Sequence, residues 1–397
     1  MKNTFILTIL LCCFYLSATS QVQHFYVHPS ATDAAYTTQD SHLVARNIST
    51  QNNKLFLFIG GTFSTAQQYE FFSLYAAGLG FHVLNISYPN SVLTTLLASN
   101  SDSLIFNKFR EEICFGTQIS PSVNVDSLNS IYTRTLKLLA YLNQTYPQDG
   151  WGQYLLSQSS IDWSKVAVSG HSQGAGHAAY FAKKFLVERA VMFAGPNDYS
   201  TYFSNAAPWL RNVGITPTRN HFTFFHLRDQ IVPFNHQYEN IRGMGMLQQD
   251  DTTLVDNLLP PYNNSRCLYS NAAPNTSGQF HNSVVIFPDT PLDTANKPAF
   301  DPVWRYMLLS DITTGITEKQ NENTFLKIFP NPASSIINVQ LNSKSNDACC
   351  IEILDCSGKI ISTEFWNGNA MQFDISSFPS GIYAVKYNGL LSRLVKF

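Results

Sequence analysis

The chain has 397 residues, with 25 Lys+Arg against 27 Asp+Glu and a formal charge of −2. Charged residues are 13% of the total, against roughly 25% in typical soluble proteins, while apolar residues reach 44% and aromatics 13%. This balance excludes the basic footprint of a nucleic-acid binder and the low hydrophobicity of a wholly disordered chain. No apolar run reaches the roughly 18 residues of a membrane span, so no transmembrane anchor is expected.

In chain order, Met1, Lys2 and Asn3 give a short positive start, and Phe5 to Leu16 is an apolar run broken only by Thr8. Ala18 and Ser20 then have the small-residue spacing that a signal peptidase accepts before Gln21. This predicts a secretory signal peptide over residues 1–20. The run is too short for a membrane anchor. A lipoprotein reading of Cys12 and Cys13 conflicts with Leu11, where lipidation requires a small side chain.

Export would leave Cys114, Cys267, Cys349, Cys350 and Cys356 in an oxidising compartment. Cys114 and Cys267 are the only pair in the long central region. Either they bond across a long loop, worth on the order of 4–5 kcal/mol in the chain-entropy picture, or they stay as two separate buried thiols. No CxxC pair has a second pair or histidine partners to match it, so neither a metal nor a cofactor is expected.

From Asn53 to about Asp311, short apolar runs alternate with helix-like segments. Leu55 to Ile59, Phe81 to Ile86, Val166 to Val168, Ala190 to Phe193 and His221 to Leu227 are strand-length, apolar on both faces and bounded by Gly, Pro or Asn. Such runs read as doubly buried strands of a parallel sheet. Between them, Ile131 to Leu142 carries Leu136, Leu138, Leu139 and Leu142 at helical spacing. The expected class is an α/β domain over residues 21–312, with a mostly parallel sheet and helices on both faces. Thr313 to Asn323 is polar and aperiodic and reads as a linker. Over residues 324–397, Ile337, Val339 and Leu341, then Ile351 and Ile353, then Tyr383, Val385 and Tyr387 alternate with other residues, which predicts a small all-β sandwich.

The chemistry is concentrated at Gly170-His171-Ser172-Gln173-Gly174, which follows the strand Val166–Val168 and opens a helix-like run through Ala178, Ala179, Phe181 and Ala182. A G-x-S-x-G between strand and helix is the context of a nucleophile elbow. The glycines leave room for packed strand and helix, and the Gln173 amide faces the reaction centre at the helix's positive end. A serine hydroxyl needs a base, and the base needs a carboxylate, in the chain order Ser, acid, His. His281, in the loop Gly278-Gln279-Phe280-His281-Asn282, is the leading base, and His236 is its rival. His226 and His221 belong to a strand. Asp229, just past the carboxyl end of His221–Leu227, is the leading acid, with Asp198 as its rival. Ile59-Gly60-Gly61-Thr62 supplies a second oxyanion donor through the Thr62 amide, with Gly61 or Phe63 as alternatives.

The GHSQG motif, the GGT loop, RDQIVP and FHNSVV resemble the α/β-hydrolase superfamily in order and spacing from Asn53 to Leu309. The resemblance implies a Ser172–Asp229–His281 triad, acyl transfer to Ser172 and an oxyanion hole made by the Gln173 and Thr62 amides. The sequence departs from the family in reading IGGT where a His-Gly type of loop is usual. The tail, with Phe329-Pro330-Asn331-Pro332-Ala333, LDCSGK at 354–359 and PSGIY at 379–383, resembles the type IX secretion system C-terminal sorting domain over 324–397. That implies passage across the outer membrane through the type IX machinery. A carbohydrate-binding or adhesive module is the alternative, with little aromatic patterning in its favour.

The expected function is therefore a secreted serine hydrolase acting on carboxylic esters. A peptidase or amidase would use the same parts. A non-catalytic binding or surface protein on a hydrolase scaffold is the reading from another class, and the presence of all three triad residue types counts against it. Residues 89–127 and 196–219, with Phe106, Phe109, Phe115, Tyr202, Phe203 and Trp209, either roof an apolar pocket or pack as core.

Overall fold

The computed structural model describes residues 22–36, 40–247, 252–311, 326–341, 349–355, 358–366, 370–387 and 390–397. The chain forms two compact units, Met1–Asp311 and Ile312–Phe397. The signal peptide expected over 1–20 and the linker expected over 313–323 lie outside the described residues.

The first unit is organised by a mixed sheet of nine strands among the described residues. In chain order these are β1 (Val22–Val27), β2 (His42–Asn47), β3 (Leu55–Ile59), β4 (His82–Ile86), β5 (Val166–His171), β6 (Arg189–Phe193), β7 (His221–His226), β8 (Thr252–Leu254) and β9 (Cys267–Ser270). Their order across the sheet is β1-β2-β4-β3-β5-β6-β7-β9-β8. From β4 to β8 all pairs are parallel, whereas β1–β2 and β2–β4 are antiparallel. The five apolar runs fall on β3 to β7, and every residue of those strands is buried. The β1–β2 hairpin has no counterpart in the run pattern, because β1 reads VQHFYV and is largely exposed along one edge. Beyond β9, the edge of the sheet on that side is β8.

Helices cover both faces of β3. Leu55, Leu57 and Ile59 join a core cluster with residues of α2 (Ile105–Phe115), α3 (Ile131–Thr145) and α4 (Gln173–Lys184). The alternate residues Phe56 and Phe58 pack on Phe72 of α1 (Glu70–Gly78), which in turn meets Trp304 of a later helix, α6 (Asp301–Leu309). Between these, α5 (Phe234–Gly243) follows β7. This is the period-two alternation of a strand buried on two sides.

The second unit is all-β. Leu326–Phe329, Ile336–Leu341 and Ala370–Asp374 form one antiparallel sheet. Ile360–Trp366, Cys349–Leu354, Gly381–Tyr387 and Leu390–Lys396 form another. One apolar cluster draws on both sheets, through Ile337, Val339 and Phe373 on the first and Ile351, Ile353, Val385 and Leu394 on the second.

Several histidines of the first unit are buried as neutral rings. Burial, with the Arg134 cation adding to it, pushes His42 down to about 3. Burial, with the charge of His281 adding to it, does the same for His171. Burial brings His221 to about 4 and holds His177 well below its usual range. In the unfolded chain such rings take a proton near pH 6.5, so the unfolded state binds more protons below that value. Stability is complete above about pH 6.5 and falls as the pH drops toward 4, by roughly 1.4 kcal/mol per pH unit for each ring. Urea midpoints measured from pH 7.5 to 4.5 should decline steeply below pH 6.5, and a flat profile would refute this account.

Candidate active site

The elbow is built by close approach. β5 ends at His171, Ser172 has φ +55° and ψ −119°, and α4 begins at Gln173. A non-glycine residue held at such a φ stores strain that the surroundings must offset. A Cβ added at Gly170 would overlap the Gly174 carbonyl, and one at Gly174 would overlap the Ile59 carbonyl oxygen. The strand, the turn, the helix and the end of β3 therefore meet only because both positions are glycine. A Cβ at Gly61 would lie 3.2 Å from the Ser172 Cβ, which puts the Gly60–Thr62 loop directly against the serine.

His281 lies on the short helix Phe280–Ser283, and its Nδ1 is 2.7 Å from Asp229 Oδ2. The Gln230 side-chain oxygen accepts the His281 backbone N–H at 2.9 Å, so the ring and its backbone are both fixed. Asp229 Oδ1 accepts N–H bonds from Ile231 (2.8 Å) and Val232 (2.9 Å), and Gln237 Nε2 donates to Oδ2 at 3.0 Å. Burial alone would raise the Asp229 carboxyl. The His281 hydrogen bond and charge and the two amides outweigh it and hold the carboxyl below its usual range. Asp229 is thus an ionised, fully bonded acceptor, and Nδ1–H of His281 donates to it. His281 Nε2 is buried and has no partner among the described residues. The rings of His281 and His171, the residue before Ser172, stand 4.8 Å apart.

The rivals are engaged elsewhere. His221 Nδ1 bonds the Pro217 carbonyl, and His226 is held between the Ala272 carbonyl and the Arg228 amide. His236 stacks on Tyr199 with ring centroids 3.9 Å apart. Asp198 is fully buried and takes two bonds from Arg110, at 2.5 and 3.1 Å, and one from Trp209 Nε1 at 2.8 Å. Of the sequence candidates, Asp229 and His281 form a carboxylate–imidazole pair, and Asp198 and His236 do not enter one.

The loop amides also sort themselves. The Gly61 N–H donates to the Tyr69 hydroxyl at 2.9 Å, and the Phe63 N–H donates to the Asn90 carbonyl at 3.1 Å. Among the described residues the Thr62 and Gln173 amides make no hydrogen bond. The Thr62 hydroxyl donates to the Gln173 side-chain oxygen, and the Gln173 NH₂ group faces His177 Nε2 at 3.4 Å. This bond ties the Thr62 and Gln173 side chains to each other.

A relay joins the three loops. His171 is neutral, so its Nε2–H donates to the His281 carbonyl at 3.1 Å and its Nδ1 accepts from the Tyr69 hydroxyl at 2.9 Å. Sequence reasoning missed Tyr69, His171, Arg110 and Asn197. Only Asn197, two residues past the Gly195 that follows β6, carried a readable signal, because it lies at the sheet edge where the elbow lies. Cys114 and Cys267 are both buried and form no disulfide with each other, so the pair is two separate thiols. Of the expected roof aromatics, Phe106, Phe109 and Trp209 are core, and Phe115 packs on Tyr132, Phe181 and Phe185. Tyr202 and Phe203 stay open, at 60% and 47% exposure.

The secretion system C-terminal sorting domain matches residues 327–396 as a family model. Residues 327–396 are a type IX sorting domain. The protein is therefore secreted or held at the cell surface, and the tail is the part that the type IX machinery engages. No helix among the described residues is long and apolar enough to cross a membrane. A search of curated proteins found no match to the chain. Deleting residues 324–397 should leave the first unit in the periplasm, as read by cell fractionation. Undiminished export of the truncated chain would refute the assignment.

Proposed function

We propose that this protein is a secreted serine hydrolase of the α/β-hydrolase type, with residues 21–312 as its catalytic domain and carboxylic esters as its substrates. Ser172 is the nucleophile, His281 the general base, Asp229 its orienting carboxylate, and the Thr62 and Gln173 amides the oxyanion donors. The observation that carries the reading is the His281–Asp229 bond, which fixes the proton on Nδ1 and leaves a buried Nε2, unpartnered among the described residues, on a ring 4.8 Å from that of His171, the residue before the elbow serine.

With Nδ1–H given to Asp229, Nε2 is the lone-pair nitrogen that takes the Ser172 hydroxyl proton as Oγ attacks the ester carbonyl. The carbonyl oxygen gains negative charge and meets two preset N–H groups, which need no reorganisation at that moment. The imidazolium then protonates the departing alcohol, leaving an acyl group on Ser172. Water, deprotonated by the same Nε2, attacks that acyl-enzyme and returns the serine. Asp229 stays ionised throughout and stabilises the imidazolium.

A fluorophosphonate probe tests the reading directly. The folded protein should be labelled covalently, and Ser172→Ala should abolish both labelling and hydrolysis of p-nitrophenyl esters. A folded wild-type protein that resists the probe and hydrolyses no ester or amide would favour the non-catalytic scaffold instead.

A further inference from the structure

Asn197 belongs to the segment Gly195-Pro196-Asn197-Asp198, which leaves β6 beside the elbow. Its neighbours are all pinned. The Thr223 hydroxyl donates to the Gly195 carbonyl at 3.1 Å, and Asn240 Nδ2 donates to the Pro196 carbonyl at 2.8 Å. Asp198 is clamped by Arg110 and Trp209 through its side chain and by the Ala207 amide through its carbonyl. Within this rigid frame the Asn197 carboxamide makes one contact, Nδ2 to Ser172 Oγ at 3.3 Å. Its Oδ1 is buried with no partner among the described residues, although Asn197 is only 6% exposed. Buried amide oxygens are nearly always bonded, so one left open next to a nucleophile marks a place that a ligand completes.

The orientation of the carboxamide follows from the proton inventory. When Ser172 gives its hydroxyl proton to His281 Nε2 in the proposed reaction, Oγ offers only lone pairs to its other neighbour. The Asn197 NH₂ group must face Oγ, and Oδ1 is left one carboxamide width away. Two features make Oδ1 a recognition atom: it sits beside the reacting atoms, and its backbone cannot relax to pair it elsewhere.

We propose that Asn197 contacts substrate, its Oδ1 accepting a hydrogen bond from an N–H or O–H that the substrate carries next to the scissile carbonyl. The preferred substrates are then esters of hydroxy- or amino-substituted acyl groups, or esters of polyols with a free neighbouring hydroxyl. This rests on Ser172 being the nucleophile. A site with a buried acceptor discriminates strongly against an analogue that lacks the donor, because the acceptor is then left unpaired.

Two matched pairs separate the two sources of the donor. On the acyl side, p-nitrophenyl 2-hydroxypropanoate is compared with p-nitrophenyl propanoate. On the alcohol side, 2-hydroxyethyl butanoate is compared with 2-methoxyethyl butanoate. The secreted protein should favour the donor-bearing ester by about tenfold or more in kcat/KM in one of the pairs. In Asn197→Ala, and in Asn197→Leu, which keeps the volume without polar atoms, that ratio should fall to about one. A ratio near one in both wild-type pairs, or a ratio that survives in both variants, overturns the proposal. Calorimetric binding of the same esters to Ser172→Ala gives a readout that does not depend on turnover. Selectivity there, lost in Asn197→Ala/Ser172→Ala, with no turnover by the wild type, would keep the Asn197 assignment and remove the hydrolase reading. Turnover without selectivity would remove the Asn197 assignment alone.

Discussion

Replacing His281 by alanine should lower ester turnover by about four to six orders of magnitude and leave a folded protein. The size of the effect follows from the serine hydroxyl, which is a weak nucleophile until its proton has somewhere to go. His281 Nε2 is buried and unpartnered among the described residues, and His171 cannot replace it because both its ring nitrogens are bonded. Asp229→Asn should cost about four orders, because a carboxamide in that place can donate to Nδ1 and so move the ring proton to Nε2. Steady-state kinetics on a chromogenic ester, alongside circular dichroism and thermal melts, separates lost chemistry from lost folding. Retained turnover in His281→Ala would pass the base role to His236, which stacks on Tyr199. His236→Ala is therefore the matched control and should leave turnover within a few-fold of wild type.

How far the sequence reached depended on whether a signal was local or spatial. β3 to β7 were legible because strands buried on both faces are largely apolar, as Leu55–Ile59 is throughout and His221–His226 is through Phe222, Phe224 and Phe225. The elbow was legible because glycines at 170 and 174 have a steric cause within a few residues. β1 was missed because an edge strand need bury only part of its length, β2 because His42, Arg46 and Asn47 interrupt its apolar residues, and β8 because Thr252–Leu254 is three residues long. The sequence could rank Asp229 over Asp198 only from its place after a strand. The distinction itself is made by Arg110, which comes from α2, 88 positions away from Asp198. Tyr69 is likewise 102 positions from the ring it bonds, and nothing in its own neighbourhood marks it. That the Gly61 and Phe63 amides are already bonded, by Tyr69 and Asn90, was likewise not legible in the loop's own sequence.

Asp198→Ala should destabilise the first unit by about 3–5 kcal/mol, because it leaves the Arg110 guanidinium buried without a counter-charge. Both side chains are fully buried, so water does not enter to compensate. Arg110 also donates through Nη1 to the Gln173 carbonyl at 2.6 Å, at the first turn of α4. A Cβ at Gly176 would overlap the same guanidinium, so the helix and the arginine have been fitted to each other. The pair therefore braces the elbow from below, and an uncompensated charge there would strain the helix that carries Ser172. Replacing both partners with apolar residues, Arg110→Met with Asp198→Leu, should recover much of the loss, since the penalty comes from the unpaired charge and not from the absence of the pair. Urea denaturation of the single and double variants decides the matter. A single variant within about 1 kcal/mol of wild type would show that the buried ion pair is not structural. Because Asp198 touches no imidazole, its loss should register first in stability, while Asp229→Asn should register first in turnover. That opposition distinguishes a carboxylate that braces the scaffold from one that orients a base.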